Sequence, residues 1–323
     1  MTLTHFVLAT DEVDERGLAE LAAAEGFVVE SIDDSTTPEF AQTLKRAHAL
    51  IVRSATTVDA ALIESAPELR AIGRAGVGVD NIDIPAASRH GIAVFNAPSG
   101  NTVAAAEMTM ALVLASVRSV PEADRSMREG RWDRAEFIGA ELEGKTLGLI
   151  GAGRVGGEVV TRARAFGMEV VVYDPYLTDD RANELGFRLT DLEEVLDVSD
   201  VISIHVPLSA ETEGLVGETA LDRMKETAYL VNASRGGVVD EAALAAALRQ
   251  GKIAGAALDV YETEPLPADS PLRAAPNLVM TPHLGASTED AQVRVAKEVA
   301  DYIRAALVDG EVSAALNHAE LSA

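Results

Sequence analysis

Three glycines, an aspartate and a trio of charged side chains define the chemistry this sequence could do. Gly151, Gly153 and Gly156 stand in Leu147-Gly-Leu-Ile-Gly-Ala-Gly-Arg-Val-Gly156 at G-x-G-x-x-G spacing, directly after a short apolar run. Where such a run turns from strand to helix, the first glycine permits a tight turn and the second lets the backbone approach a pyrophosphate. The third lets helix and strand pack closely. The free N–H groups and positive dipole end of the helix then face the phosphates. Glycine turns are common, so the flanks decide. Val155, Val159, Val160 and Ala163 recur at helical spacing, and a second apolar run reaches Asp174, 18 residues beyond Gly156. An acid there can accept hydrogen bonds from a ribose diol; its ordinary alternative is to cap the strand-to-turn corner at Pro175. It would meet a 2′-phosphate with like charge and no adjacent Arg or Lys, so the cofactor expected is NAD rather than NADP.

Farther along, Arg235, Glu264 and His283 each follow a short apolar run, where doubly wound sheets place their sites. A carboxylate substrate that exchanges a hydride needs a cation to hold it, and a carbonyl becoming an alcohol needs a proton donor. Arg and His supply these, and an acid beside the imidazole stabilises its protonated form and fixes its orientation. Singly, each has an ordinary alternative: a surface ion pair, a solvated acid, a satisfied histidine before a helix. Together, downstream of a nucleotide unit, they form a catalytic constellation.

The elements that must position these residues alternate. Apolar runs at 5–9, 27–29, 49–52, 71–72 and 93–95 are separated by helical stretches such as 17–25 and 58–65, which predicts a parallel sheet covered on both faces. A long apolar helix from 101 to 117 then leads out of this first domain, to be buried between domains or in a subunit interface. Residues 118–143, with Trp132 between Arg131 and Arg134, read as an excursion that clasps a partner subunit or as a surface loop. Further strands are expected at 147–150, 169–174, 201–204, 229–231, 254–258 and 278–281, with helices at 191–196 and 241–250, the latter ending at Gly251. A last helix over 289–307 is long enough to return to the first domain, which makes that domain discontinuous. No repeat of 20 to 50 residues is visible.

Composition bounds the partners. A hydrophobic fraction of 48% with only 4% aromatic residues requires a core of Ala, Val, Leu and Ile. The net charge of -25, from 52 acidic and 27 basic residues, argues against nucleic acid or an anionic membrane as partner. It also means that local Arg clusters must overcome a repulsive field if the substrate is an anion. The acidic, lysine-poor surface fits a high-salt cytoplasm or a biased genome composition. No apolar run reaches transmembrane length and the first residues lack a signal peptide, so a soluble, cytoplasmic protein is expected. The absence of cysteine removes disulfides, thiolate metal sites and cysteine nucleophiles, and no metal site is expected.

With these residues in view, Asn232-Ala-Ser-Arg-Gly-Gly-Val-Val-Asp-Glu241, Asp259-Val-Tyr-Glu-Thr-Glu-Pro265 and Pro282-His-Leu-Gly-Ala-Ser-Thr288 resemble the D-2-hydroxyacid dehydrogenases. The likeness covers essentially the whole chain. Gly73-Arg-Ala-Gly-Val-Gly-Val-Asp-Asn81, Ile51-Val-Arg-Ser-Ala-Thr56 and His283-Leu-Gly-Ala-Ser-Thr288 are most similar to members whose substrate ends in a phosphate.

The resemblance implies an α/β protein of two doubly wound parallel-sheet domains. A Rossmann-like NAD-binding domain (99–285) is inserted in a flavodoxin-like substrate domain (1–98 and 286–323). His283 is implied as acid/base, Glu264 as its partner and Arg235 as the substrate-orienting cation. Gly151, Gly153, Arg154, Val155, Gly156, Asp174, Val206, Ala233, Asp259 and Gly285 are implied to bind NAD, with Asp259 at the nicotinamide carboxamide. Gly76 and Val77 would offer N–H groups to a substrate carboxylate, and Arg53 and Arg74 would hold a phosphate, joined by Arg134 of a homodimer partner. Glyoxylate or hydroxypyruvate reduction is the alternative chemistry, and an NAD(H)-sensing corepressor the alternative of another class. A formate dehydrogenase is disfavoured because that subgroup carries an amide where Glu264 stands. The chain stops at Ala323, where many of these enzymes continue into regulatory domains, so feedback through such a domain is not expected.

Overall fold

The computed structural model describes residues 4–322. Its first run is β1 (His5–Ala9), α1 (Glu15–Ala22), β2 (Phe27–Ser31), α2 (Pro38–Leu44), β3 (Ala49–Val52), α3 (Ala60–Glu64), β4 (Ala71–Arg74), α4 (Ile84–Arg89) and β5 (Ala93–Asn96). All pairings are parallel and the order is β2-β1-β3-β4-β5, so the sheet reverses direction between β1 and β3. Helix starts follow local chemistry: the side chains of Asp14, Thr37, Asp59 and Asp83 each accept an N–H of the following first turn. Those caps explain two differences from expectation. The first helix begins at Glu15 rather than 17, and the stretch from 58 shortens because Asp59 caps it while Val58 bridges to Ile82. α2 and α4, 7 and 6 residues long, are too short to leave a periodic signal.

The next run is α5 (Thr102–Val117), α6 (Val120–Arg128), a 3-10 turn (Arg134–Glu136), β6 (Thr146–Ile150), α7 (Arg154–Ala165), β7 (Glu169–Tyr173), α8 (Asp179–Leu185), β8 (Arg188–Leu189), α9 (Leu192–Val198), β9 (Val201–Ile204), α10 (Glu218–Arg223), β10 (Tyr229–Asn232), α11 (Glu241–Gln250), β11 (Gly255–Leu258), a second 3-10 turn (Pro271–Ala274) and β12 (Leu278–Met280). Its sheet is again wholly parallel, in the order β12-β11-β10-β9-β6-β7-β8, and reverses between β6 and β9. Strand residues alternate between two buried faces. Leu230, Ala256 and Leu258 join one core while Val231, Ala257 and Val279 join the other, the pattern of a sheet covered on both sides. α5 lies in this second core through Ala106, Met110, Leu112, Val113 and Val117. The long apolar helix is thus packed on its own sheet.

The chain then returns to the first unit with α12 (Glu289–Asp309) and α13 (His318–Leu321). Val295, Ala296, Val299, Ala300 and Ile303 of α12 complete the core that Val7, Leu18, Ile51 and Phe95 begin. The fit is close enough to require glycine. A Cβ on Gly17 would come within 2.5 Å of the Ala296 Cβ, and one on Gly73 within 2.1 Å of a Val299 methyl. The two units are residues up to Asn101 with those from Ala286, and Thr102–Gly285. Among the described residues no single helix is long and apolar enough to cross a membrane.

Candidate active site

In the second unit, the turn after β6 is built by its glycines. Gly151 has φ +88, and an added Cβ would lie 2.7 Å from the His205 carbonyl oxygen and 2.8 Å from a Val206 methyl. Gly156 would place a Cβ 2.6 Å from the Gly151 carbonyl, whereas one on Gly153 would meet nothing within 4 Å. Gly153 is also the N-cap of α7 and offers no capping side chain. The first intrahelical bond is from the Gly157 N–H to the Gly153 carbonyl at 2.9 Å, so the amides of Arg154, Val155 and Gly156 point out of the helix end toward open space. These residues fit a pyrophosphate.

Asp174 follows β7 and does corner work, accepting the Ala152 N–H at 2.9 Å and the Tyr176 N–H at 2.9 Å. Each carboxylate oxygen keeps acceptor capacity for a hydroxyl, so the two readings of this residue coexist. His205 continues β9, and its Nε2 lies 2.8 Å from the Ser203 hydroxyl. Burial lowers its pKa to about 4, so the ring is neutral near pH 7.

Arg235, Glu264 and His283 sit beyond the C-terminal ends of the neighbouring strands β10, β11 and β12. His283 Nδ1 is 2.7 Å from Glu264 Oε2, and Oε1 of the same carboxylate accepts the Tyr261 N–H at 3.1 Å. An ionised carboxylate makes Nδ1 the donor and leaves Nε2 as the ring's other working nitrogen. The imidazole side chain is 48% exposed, open to a reactant. Its backbone has φ +55, a conformation costing a non-glycine residue about 1 kcal/mol.

Asp259 accounts for that turn. It is fully buried and accepts the Thr281 hydroxyl at 2.6 Å, the Leu284 N–H at 2.7 Å and the Gly285 N–H at 2.8 Å. At 0% exposure its oxygens hold the backbone on either side of His283. The Gly285 N–H is likewise spent on this carboxylate.

Arg235 is placed by Asn232, a buried residue whose importance the sequence did not signal. Its Oδ1 accepts the Ser234 N–H and hydroxyl at 3.0 and 2.8 Å, and its Nδ2 donates to the Arg235 carbonyl at 2.8 Å. Ala233, between them, is half-buried. Gly236 presses on the next loop so closely that a Cβ would lie 1.8 Å from the Tyr261 carbonyl oxygen. The Arg235 turn and the Glu264 loop are thereby registered. The phenol of Tyr261 donates to the Leu258 and Thr281 carbonyls at 3.2 and 2.9 Å, and burial with the Asp259 charge pushes its pKa up to about 12.

In the first unit, Arg53 and Arg74 end adjacent strands, with Val52 paired to Arg74 in register. The Arg53 guanidinium donates to the Asp11 carbonyl at 3.5 Å, and that of Arg74 to the Ala75 carbonyl at 3.3 Å. Gly76, φ +153, yields its Cβ position to the Arg74 guanidinium, which would be 1.4 Å away. Its N–H donates to the Arg74 carbonyl at 2.7 Å, so Gly76 does not hold a free amide as expected. The Val77 carbonyl accepts from Asn96 Nδ2 at 2.6 Å. Arg134 lies exposed on the 3-10 turn of the second unit. In the same stretch of sequence Val120, Met127, Trp132 and Ile138 are 53%, 54%, 77% and 86% exposed. Among the described residues no group of three metal-ligating side chains occurs.

Comparison with known proteins adds three findings. The family described as D-isomer specific 2-hydroxyacid dehydrogenase, NAD binding domain, matches residues 110–285. A D-3-phosphoglycerate dehydrogenase of Archaeoglobus fulgidus is 48% identical over 92% of this chain and 56% of its own length, so the chain spans about half of such curated relatives. Among solved structures, a protein from Thermus thermophilus superposes with TM-score 0.87 at 37% identity, covering 96% of this chain and 99% of its own. A glyoxylate reductase from Paecilomyes thermophila does so with TM-score 0.84 at 28% identity, covering 97% and 98%.

Proposed function

The chain belongs to the D-isomer specific 2-hydroxyacid dehydrogenases, and from that premise we propose that it oxidises 3-phosphoglycerate to 3-phosphohydroxypyruvate with NAD, the entry reaction of serine biosynthesis. The observation that carries the chemistry is the 2.7 Å bond between His283 Nδ1 and Glu264, at strand ends of the sheet whose first turn holds the glycine fingerprint. With Nδ1 engaged, His283 takes the substrate's hydroxyl proton at Nε2. Arg235 holds the C1 carboxylate in two-point contact. Gly151, Gly153, Gly156, the amides of Arg154 and Val155, and Asp174 would hold NAD, with Val206 and Ala233 lining its site, and the cofactor when bound would supply the acceptor for the C2 hydride. Glu264 stabilises the imidazolium that results, and Asp259 keeps the ring aimed.

Arg53 and Arg74 are assigned to the phosphate, since a second anionic end needs a second cationic cluster and Arg matches phosphate oxygens in pairs. Val77 offers its N–H to the carboxylate. The exposed apolar side chains of 120–138 support a homodimer built on this segment, which would bring the partner's Arg134 into play. A cytoplasmic setting fits this reading. Steady-state kinetics over 3-phosphoglycerate, glycerate, hydroxypyruvate and glyoxylate test it. A kcat/KM highest for the phosphorylated acid is expected, and a preference for glyoxylate would replace this reading with that of a glyoxylate reductase. Sedimentation at micromolar concentration tests the dimer, which a single monomeric species would exclude.

A further inference from the structure

The segment Arg53-Ser-Ala-Thr56 is tied at both ends by two side chains from other loops. Asp11, after β1, accepts the Arg53 N–H at 2.9 Å and the Thr56 N–H at 3.0 Å through Oδ2, and the Thr56 hydroxyl at 2.5 Å through Oδ1. Asn81, after β4, donates from Nδ2 to the Arg53 carbonyl at 2.8 Å and to the Thr56 carbonyl at 2.6 Å. One residue thus satisfies the N–H groups of both ends and the other their carbonyls, while Ser54 and Ala55 between them remain exposed.

The clamps are themselves anchored. Asp11 sits at φ +63 with its N–H on the Asp33 carbonyl at 3.2 Å, which the Thr10 hydroxyl also reaches at 3.1 Å. The Asn81 carbonyl accepts the Val58 N–H at 2.8 Å. An acid beside a proposed anion site would ordinarily repel the ligand. Here three donors spend its charge on the chain.

We propose that Asp11 and Asn81 are positioning residues for substrate: they lock residues 53–56 so that the Arg53 guanidinium is presented in one place, without touching the substrate. A flexible Arg must be ordered when it binds phosphate, and a fixed backbone beneath it reduces that cost. A carboxylate, with acceptor sites on both oxygens, can take three donors in this geometry, and an uncharged primary amide can give to two carbonyls from one nitrogen. The inference rests on the assignment of Arg53 to the phosphate.

The test compares Asp11→Asn, Asn81→Ala and the milder Thr56→Val with Arg53→Ala, assayed with NAD and either 3-phosphoglycerate or glycerate. NADH titration and thermal melts show that each variant is folded. Asp11→Asn and Asn81→Ala should raise KM for 3-phosphoglycerate about tenfold, with kcat within about threefold and KM for glycerate within about twofold. Thr56→Val should do so by about threefold. The double variant Arg53→Ala/Asp11→Asn should be no worse than Arg53→Ala alone, because Asp11 acts through Arg53. A selective loss in Arg53→Ala with none in the clamp variants, or additive losses in the double variant, would overturn the inference and leave the Arg53 assignment intact. No selective loss in Arg53→Ala would overturn both.

Discussion

Each sheet reverses its strand order once, between β1 and β3 in the first unit and between β6 and β9 in the second, and such a reversal opens a crevice at the carboxyl ends of the strands. In the second unit the crevice is left open, since Gly153 has nothing within 4 Å of where its side chain would be, and the amides of 154–156 have no helical partners. In the first unit a carboxylate of the chain itself enters the same place. Asp11 takes the N–H groups of Arg53 and Thr56. One topology therefore yields two devices, a socket for a ligand's phosphates and a rigid platform for a side chain. Topology nominates the place, and whether the local amides are spent decides what it becomes.

If this division is right, chemistry is lost only through the second unit. His283→Ala should lower kcat by about 10²- to 10⁴-fold while NADH affinity changes less than about twofold. Arg53→Ala should act on KM, so a comparable fall in its kcat would break the comparison.

The socket and an open turn of the first unit should also differ in their tolerance of a side chain. Gly151→Val adds a β-branched group at φ +88, where even a Cβ meets the His205 carbonyl at 2.7 Å, and NADH titration should show affinity reduced by at least about a hundredfold. Gly91→Ala, at φ +69 with nothing within 4 Å, should cost about 1 kcal/mol of stability and leave binding unchanged.

Acid should reach the second crevice through His205. Its pKa lies near 4 in the folded chain against 6.5 ordinarily, so the unfolded chain binds the extra proton. The stability due to the neutral ring is complete above pH 6.5 and is lost as pH falls from 6.5 toward 4. At about 1.4 kcal/mol per pH unit this amounts to roughly 3–4 kcal/mol. Thermal melts of the wild type and His205→Gln should converge on acidification, and parallel curves would show that the ring is not the sensor. A modest effect is expected at Asp174. Asp174→Ala should move the NAD to NADP ratio of kcat/KM about tenfold toward NADP, and an unchanged ratio would leave the residue with its corner role alone.

What the sequence made legible was whatever is written locally. The glycine spacing, the runs at 147–150 and 201–204, and the positions of Arg235, Glu264 and His283 after strands are all contained in short windows. The residues that hold those groups are not. Asp11 reaches Arg53 across 42 positions, and Asn81 reaches it across 28. Such pairs exist only once parallel strands distant in sequence have been brought side by side. Asn232 was missed for another reason, since a polar residue at a strand end reads as an ordinary turn former until its burial is known. The backbone-holding work of Asp259 was missed for the same reason as that of Asp11, since the Thr281 hydroxyl and the two amides that it accepts lie 22 to 26 positions away.

The return of α12 to the first unit has a consequence for how the protein is made. Residues 102–285 lie between β5 and the helix that closes its core. On a ribosome the N-terminal sheet emerges first, yet it lacks Val295, Ala296, Val299, Ala300 and Ile303 until the rest has been translated. Domains fold as units during synthesis, so the inserted unit finishes first although it begins second. Throughout that interval the apolar surface of β4 and α1 that α12 will cover, including the notches at Gly17 and Gly73, is bare to the cell.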